Sequence, residues 1–214
     1  MKSPLCKTCD APLPAVNDTD PYCDPCAARR EAGRPLLSAS QIDHFRLCDR
    51  KWGWKYLDGI ESPTNQWAAF GQECHAVLER YLRDGKQPNP KTAAGAVVLP
   101  GLQYLPAPGK AKVEGKFVWS LPHEPFDLVG VIDWWVYGFD RDAPGAWVPP
   151  TVGDHKTTGN FQWMLTPEAL AGGNVQSAIY LAYVQQQTGA ARVNGRWVYY
   201  RTKGAHAARC VDFA

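Results

Sequence analysis

This chain has no apolar run long enough to cross a membrane, which excludes a helical membrane-spanning protein. Its first residues, Met1-Lys2-Ser3-Pro4-Leu5-Cys6, hold no apolar stretch of signal-peptide type. There is little net charge, +2 over 214 residues, so any contact with a polyanion must come from local patches. No internal repeat, no glycine-rich phosphate loop and no serine or cysteine in a nucleophile setting can be found. Those absences remove repeat architectures, nucleotide-phosphate cradles and covalent Ser or Cys catalysis from the candidates. The seven cysteines are an odd number; four have metal-ligand spacing and three are scattered. That usage fits a reducing compartment and not a disulfide framework, so the reading is of a soluble intracellular chain.

What is present supports one ordinary domain with a small appendage. The composition is 45% hydrophobic and 12% aromatic, enough for a packed core. Residues 1–33 form the appendage: Cys6-x2-Cys9, thirteen residues, then Cys23-x2-Cys26. Each knuckle can turn two thiolates toward one ion, and two knuckles complete a tetrahedral zinc site. The polar segment between them has little to fold around, so metal is its expected source of stability. Four thiolates leave no open position, which makes the zinc structural.

Residues 34–214 form the larger domain. Ser38-x-x-Gln41 is a capping box that starts a helix, with Ile42, Phe45 and Cys48 turned inward. That helix runs into a stretch where Arg46, Arg50, Lys51 and Lys55 interleave with Trp52, Trp54 and Tyr56. The basic residues are candidate DNA-phosphate contacts, or else the solvated side of an amphipathic helix whose rings, Trp52 and Tyr56, enter the core. Trp67–Asp84 is a second helix, with Phe70, Cys74, Val77, Leu78, Tyr81 and Leu82 at helical spacing. Gly71, His75 and Glu79 share a neighbouring face, and a glycine one turn before His75 leaves room beside its ring. Residues 88–111 read as a long loop with a short strand or turn. Lys112–Leu121 and Phe126–Tyr137 read as a hairpin, and Trp147–Lys156 as a third strand. Thr166-Pro167-Glu168 starts a helix that Gly172-Gly173 interrupts; the pattern resumes at Asn174 and stops near Gly189. Arg196–Arg201 and Arg209–Phe213 are further strands.

The chemistry concentrates on two of these strands. In Asp154-His155-Lys156, the acid and the lysine project to one face, because side chains two apart on a strand point the same way. If the strand carrying Asp133 pairs with this one, Asp133 can join them. Asp133 lies among Val131, Ile132, Trp134 and Trp135, and an acid in such apolar company needs a specific partner. A plain cross-strand ion pair between Asp133 and Lys156 is the bland alternative. Two carboxylates and an ammonium at one point are what metal-assisted phosphodiester hydrolysis requires.

Five segments in this order resemble the PD-(D/E)XK nuclease superfamily, in its RecB-like branch, which includes phage exonucleases and CRISPR-adaptation nucleases. They are Ser38 to Trp52 around Cys48; Gly71-x3-His75-x2-Leu78-Glu79; Gly130-x2-Asp133; Asp154-His155-Lys156; and Gln176-x3-Tyr180. The resemblance covers about residues 38–213 and implies an α/β, restriction-endonuclease-like core, a mixed central sheet flanked by helices. It implies Mg²⁺ or Mn²⁺ held by His75, Asp133, Asp154 and the backbone carbonyl of His155. Lys156 then positions or activates water, and Gln176 and Tyr180 line the site. Glu114, on the strand before Asp133, reads as a solvated strand glutamate. Iron–sulfur-bearing relatives use one cysteine in the first helix and three near the C-terminus; here Cys48 has only Cys210 as a late counterpart, so no cluster is assigned, and Cys48 and Cys74 are read as core residues. The chain stops soon after its last strand, where such relatives continue, and is read either as shortened there or as never having had a cluster. The expected activity is a metal-dependent deoxyribonuclease, an exonuclease acting on DNA ends or single strands in repair, recombination or phage DNA processing. A recombination or helicase partner and a cytoplasmic location, in a bacterium or in a phage host, go with it. The rival is an inactive nuclease fold that binds DNA or scaffolds through its zinc ribbon. Intact Asp133, Asp154 and Lys156 weigh against that rival.

Overall fold

The structure is a computed structural model that describes residues 33–60, 66–137 and 148–214. Cys6, Cys9, Cys23 and Cys26, the expected zinc ligands, lie outside the described residues. The described residues fall into two compact units, one of residues 33–58 and 116–131, the other of residues 59–60, 66–115, 132–137 and 148–214.

In the first unit, β1 (Leu36–Ser38) runs parallel to the start of β3 (Asp127–Val136), with Leu36 opposite Asp127 and Ser38 opposite Val129. Arg34 Nη2 lies 2.8 Å from Asp127 Oδ1 and also donates to the Phe126 carbonyl, which fixes this pairing at its outer end. The expected hairpin is there: β2 (Lys112–Ser120) ends just before β3 begins, and β2 pairs with β3. Ser38 caps α1 (Ala39–Leu47) as a full capping box, its hydroxyl accepting from Gln41 N–H while Gln41 Oε1 accepts from Ser38 N–H. The single long helix expected here is two, because Cys48 adopts an extended conformation, ends α1 and N-caps α2 (Asp49–Tyr56) through its sulfur. The inward face expected for this segment fails with it. Phe45 is 54% exposed, Cys48 is exposed, and Trp52 and Tyr56 are only half-buried, packing on each other and, for Trp52, edge-on against Phe45. The kink at Cys48 breaks the helical register on which that reading relied.

The second unit carries a mixed sheet with helices on both faces. The end of β3 pairs antiparallel with β4 (Thr151–Thr158), β4 pairs parallel with β5 (Asn194–Arg201), and β5 antiparallel with β6 (Ala208–Phe213). On one face α3 (Gln66–Asp84) buries Cys74, Leu78 and Leu82, the positions its periodicity marks, against Trp134, Val136, Val198 and Tyr200. The stretch expected to be a long loop also contributes to this core. Thr92 caps α4 (Ala93–Val98), which runs into a 3-10 turn over Leu99–Tyr104, and Ala94, Val97 and Val98 are buried. Its Ala, Gly and Pro content hid a helix of under two turns, too short for periodicity to register. α5 (Pro167–Gly172) and α6 (Val175–Thr188) are separated at Gly173-Asn174 as expected. Asn174 caps α6, and Gly189 ends it at φ 64°, a left-handed conformation that glycine adopts at no steric cost.

Candidate active site

The second unit gathers the sequence-marked acids and lysine at one place. The β3–β4 ladder closes with Trp134 opposite Gly153. One residue further, the carboxylate of Asp133 reaches across: its Oδ2 accepts the backbone N–H of His155 at 2.6 Å. A side chain thus takes the place of a ladder carbonyl, and Asp133 is held buried where a backbone bond would otherwise form. Its other oxygen lies 3.4 Å from His75 Nδ1 on α3. Gly71, one turn earlier, lets that helix approach β4; a Cβ there would stand 3.2 Å from Thr157 Oγ1.

Asp154 and Lys156 do share a face, as strand alternation requires, and they form an ion pair. Lys156 Nζ lies 2.7 Å from Asp154 Oδ2. Gln176, in the first turn of α6, closes the group: its Nε2 donates to Asp154 Oδ1 at 2.7 Å and its Oε1 accepts from Lys156 Nζ at 2.9 Å. Tyr180, one turn later, is buried on the same helix. The ring of His155 points away from Lys156, its Nδ1 3.3 Å from Tyr200 Oη and its plane edge-on to His75.

Glu114 departs from its reading as a solvated glutamate. It is half-buried, with a left-handed φ of 50°, a backbone cost that a non-glycine residue carries only when its surroundings impose it. Donor atoms of His75, Glu114 and Asp133 all lie within 4.8 Å of one another. Opposite ligands of a small divalent ion stand about 4.2 Å apart, so side-chain adjustments of a few tenths of an ångström close this set on one. One imidazole and two carboxylates suit Mg²⁺ or, with the nitrogen, Mn²⁺. Together Ala68, Gly71, Gln72, His75, Ala76, Glu79 and Glu114 line an open pocket of about 450 Å³ above them. Asp154 stands outside this donor trio: Gln176 holds its Oδ1, while its buried Oδ2 faces the Lys156 ammonium without a hydrogen-bond partner. The sequence carried one signal for Glu114, its place on the strand before Asp133; its turned backbone was not visible there.

The electrostatics match an ion-binding centre. Burial raises the Glu114 carboxyl to about 7, and the neighbouring charges of Asp133 and Glu79 add to it. Burial likewise raises Asp154 to about 6 against the pull of Lys156. Burial would lower Lys156, but Asp154 outweighs it and holds the ammonium protonated, so the pair is ionised at neutral pH. Burial lowers His155 to about 4 and keeps it neutral. His75 is raised: its bond to Asp133 and the charges of both aspartates outweigh burial. Burial opposes the ionised form of Asp133, yet His75 and the His155 N–H hold its carboxyl below the usual value. A raised carboxyl favours the fold when protonated; for Glu114 that contribution is present below its ordinary 4.5 and lost as pH rises toward 7. With chelator present, Glu114→Gln is therefore expected to melt increasingly above the parent chain between pH 4.5 and 7, with the gap level beyond, as thermal unfolding in a pH series will read. Added Mn²⁺ reverses the order at pH 8 by stabilising only the chain that keeps the carboxylate.

The remaining sequence candidates, Arg46, Arg50, Lys51 and Lys55, belong to the first unit and are exposed there. Arg50 stacks over Trp54 and Lys55 over Tyr56, at 5.3 and 5.1 Å from the ring centroids.

Residues 36–212 match the family model of the PD-(D/E)XK nuclease superfamily. A crystal structure from Eubacterium rectale, described as "Putative exonuclease", is similar over 90% of this chain and 78% of its own, at 15% identity and TM-score 0.55. A second, SSO0001, covers 84% of this chain and 68% of its own at 11% identity and TM-score 0.37, too distant to bear on the fold. No match is found among curated proteins.

Proposed function

This chain belongs to the PD-(D/E)XK nuclease superfamily, and from that membership we propose that it is a metal-dependent nuclease hydrolysing DNA phosphodiesters, an exonuclease of the RecB-like branch. The observation that carries the reading is the donor trio His75, Glu114 and Asp133 beside the Asp154–Lys156–Gln176 group. His75, Asp133 and Glu114 would hold the cation, with Asp154 Oδ2 and the His155 carbonyl as further oxygens for the same site. When bound, Mg²⁺ or Mn²⁺ would supply Lewis-acid polarisation of the phosphate and acidify a water.

The chain's own groups do the rest. Lys156, kept protonated by Asp154, places a positive charge where negative charge develops on the phosphoryl oxygens. Gln176 bonds both partners of the ion pair and so fixes the direction of the ammonium. Tyr180 packs the same helix face behind it. The test is cleavage of linear, circular and single-stranded DNA with Mg²⁺ or Mn²⁺. Linear DNA cut from its ends is expected, with Lys156→Ala and Asp154→Ala each about a hundred- to a thousand-fold slower. Cleavage unchanged in both variants, or none by the parent chain under any condition, removes this reading.

Cys6, Cys9, Cys23 and Cys26 we assign to a structural zinc ribbon, on their spacing alone. One zinc per chain by elemental analysis, lost when Cys6 and Cys9 become serine, is the expected content. Repair, recombination or phage DNA processing in a cytoplasm, with a recombination or helicase partner, is the setting this activity fits.

A further inference from the structure

Past the catalytic lysine, β4 leads directly into a surface that the proposed chemistry does not use. Parallel register sets Lys156 beside Tyr199 on β5, and antiparallel register sets Tyr199 beside Arg209 on β6, so the three share one face in a row across the sheet. Two strand spacings, about 10 Å, separate the backbones of Lys156 and Arg209. The next residue on that face, Thr158, is paired with Arg201. The segment after β4 folds back over this row. Phe161 receives the guanidinium carbons of Arg209 and Arg201 at 4.7 and 5.5 Å from its ring centroid, and Leu165 N–H donates to Tyr199 Oη at 3.3 Å. On the other side, Lys203 lies 4.9 Å over the ring of Trp67, the second residue of α3.

Three features of this surface point to a ligand. Its charge is of one sign: residues 157–166 and 200–211 contain no Asp or Glu but do contain Arg201, Lys203 and Arg209. Among the described residues no carboxylate pairs with these three cations. Its rings face solvent: Trp163 is 73% exposed and Trp67 is 54% exposed. It is continuous with the catalytic strand, since Thr202 N–H bonds the Thr158 carbonyl at 2.8 Å, two residues beyond Lys156. Cations that meet a polyanion, interleaved with open aromatic faces, are the requirements for holding unpaired nucleotides; in a duplex the base faces are stacked on each other and cannot use the rings.

We propose that this surface holds a single DNA strand as it meets the catalytic lysine, with bases stacking on Trp163 and Trp67 and phosphates on Lys203 and Arg209. Arg201 is a positioning residue here, since its guanidinium also donates to the Ala205 carbonyl and braces the turn between β5 and β6 beneath Phe161. The inference deepens the nuclease reading and rests on it for the identity of the strand's reactive end; the binding itself is tested without cleavage.

The experiment is fluorescence anisotropy with an end-labelled 20-nucleotide oligo-dT, chelator present so that nothing is cut, over a salt series. Trp163→Ala is expected to weaken binding about ten-fold, while Trp163→Phe, which keeps an aromatic face, stays within about three-fold of the parent chain. The double variant Lys203→Ala, Arg209→Ala is expected to flatten the log K against log salt slope, by about 0.7 for each lost phosphate contact. A blunt duplex of equal length binds less tightly and does not respond to Trp163→Ala. The side chains changed are exposed, and equal melting temperatures check that the variants fold. Unchanged oligo-dT binding in both the alanine and the double variants overturns the proposal, as does an equal loss for the duplex. A parent chain that shows this binding pattern yet cuts no DNA with Mg²⁺ or Mn²⁺ leaves the surface standing and removes the nuclease reading; cleavage with unaltered binding does the reverse.

Discussion

Asp133→Asn is expected to slow DNA cleavage about ten-thousand-fold while the chain stays folded. The reason is that Asp133 has two separable tasks. Its Oδ2 accepts the His155 N–H and holds β3 and β4 together where their ladder ends, and an asparagine oxygen can do the same. Its charge is what the donor trio with His75 and Glu114 needs, and an amide cannot supply it. A cation there would supply Lewis-acid polarisation of the phosphate, so its loss is expected to remove several kcal/mol of transition-state stabilisation, and about 5.5 kcal/mol corresponds to four decades in rate. The melting temperature in chelator should stay close to that of the parent chain, and the rise on adding Mn²⁺ should vanish. A variant that still cuts at a tenth of the parent rate would take Asp133 out of the ligand set.

The largest effect on stability is expected from Gly153→Ala. Gly153 is buried directly opposite Trp134, and the indole lies flat over it, so that an added methyl would overlap Trp134 Cδ2, Cε2 and Cζ2. Neither side can yield: the backbone of Gly153 is tied into ladders with both β3 and β5, and Trp134, 1% exposed, is part of the core under α3. Overpacking of this kind costs about 3 kcal/mol or more. For a unit of this size that is several degrees in melting temperature, readable by calorimetry. Because Gly153 precedes Asp154, whatever relief the strand finds displaces that buried carboxylate as well. A variant as stable as the parent chain would mean that the Trp134 ring does not lie over Gly153.

The local sequence carried the elements whose cause is local. The Ser38–Gln41 box, Thr166-Pro167 and the Gly172-Gly173 interruption are read from a few adjacent residues, and each appears where it is read. Strand alternation alone put Asp154 and Lys156 on one face, and the order of the five segments brought His75, Asp133 and Gln176 toward the same centre. Where the reading failed, the cause lay elsewhere in the chain. Phe45 and Cys48 face out because a single extended residue at position 48 resets the helical phase, and no period reports one residue. Residues 93–104 enter the core because α3 and the sheet offer them a surface, not because of their own pattern.

The types of the candidate site groups and their spacing along the strands were therefore determined by the sequence itself. Which groups pair was decided only by the tertiary structure. Asp154 turns to Lys156 and Gln176, while Glu114, brought in by a left-handed backbone at position 114, takes the place beside His75 and Asp133. The physical reason is that a strand fixes the face on which a side chain stands, whereas its distance from a residue on another element depends on register, helix approach and backbone turns that neighbouring residues do not encode.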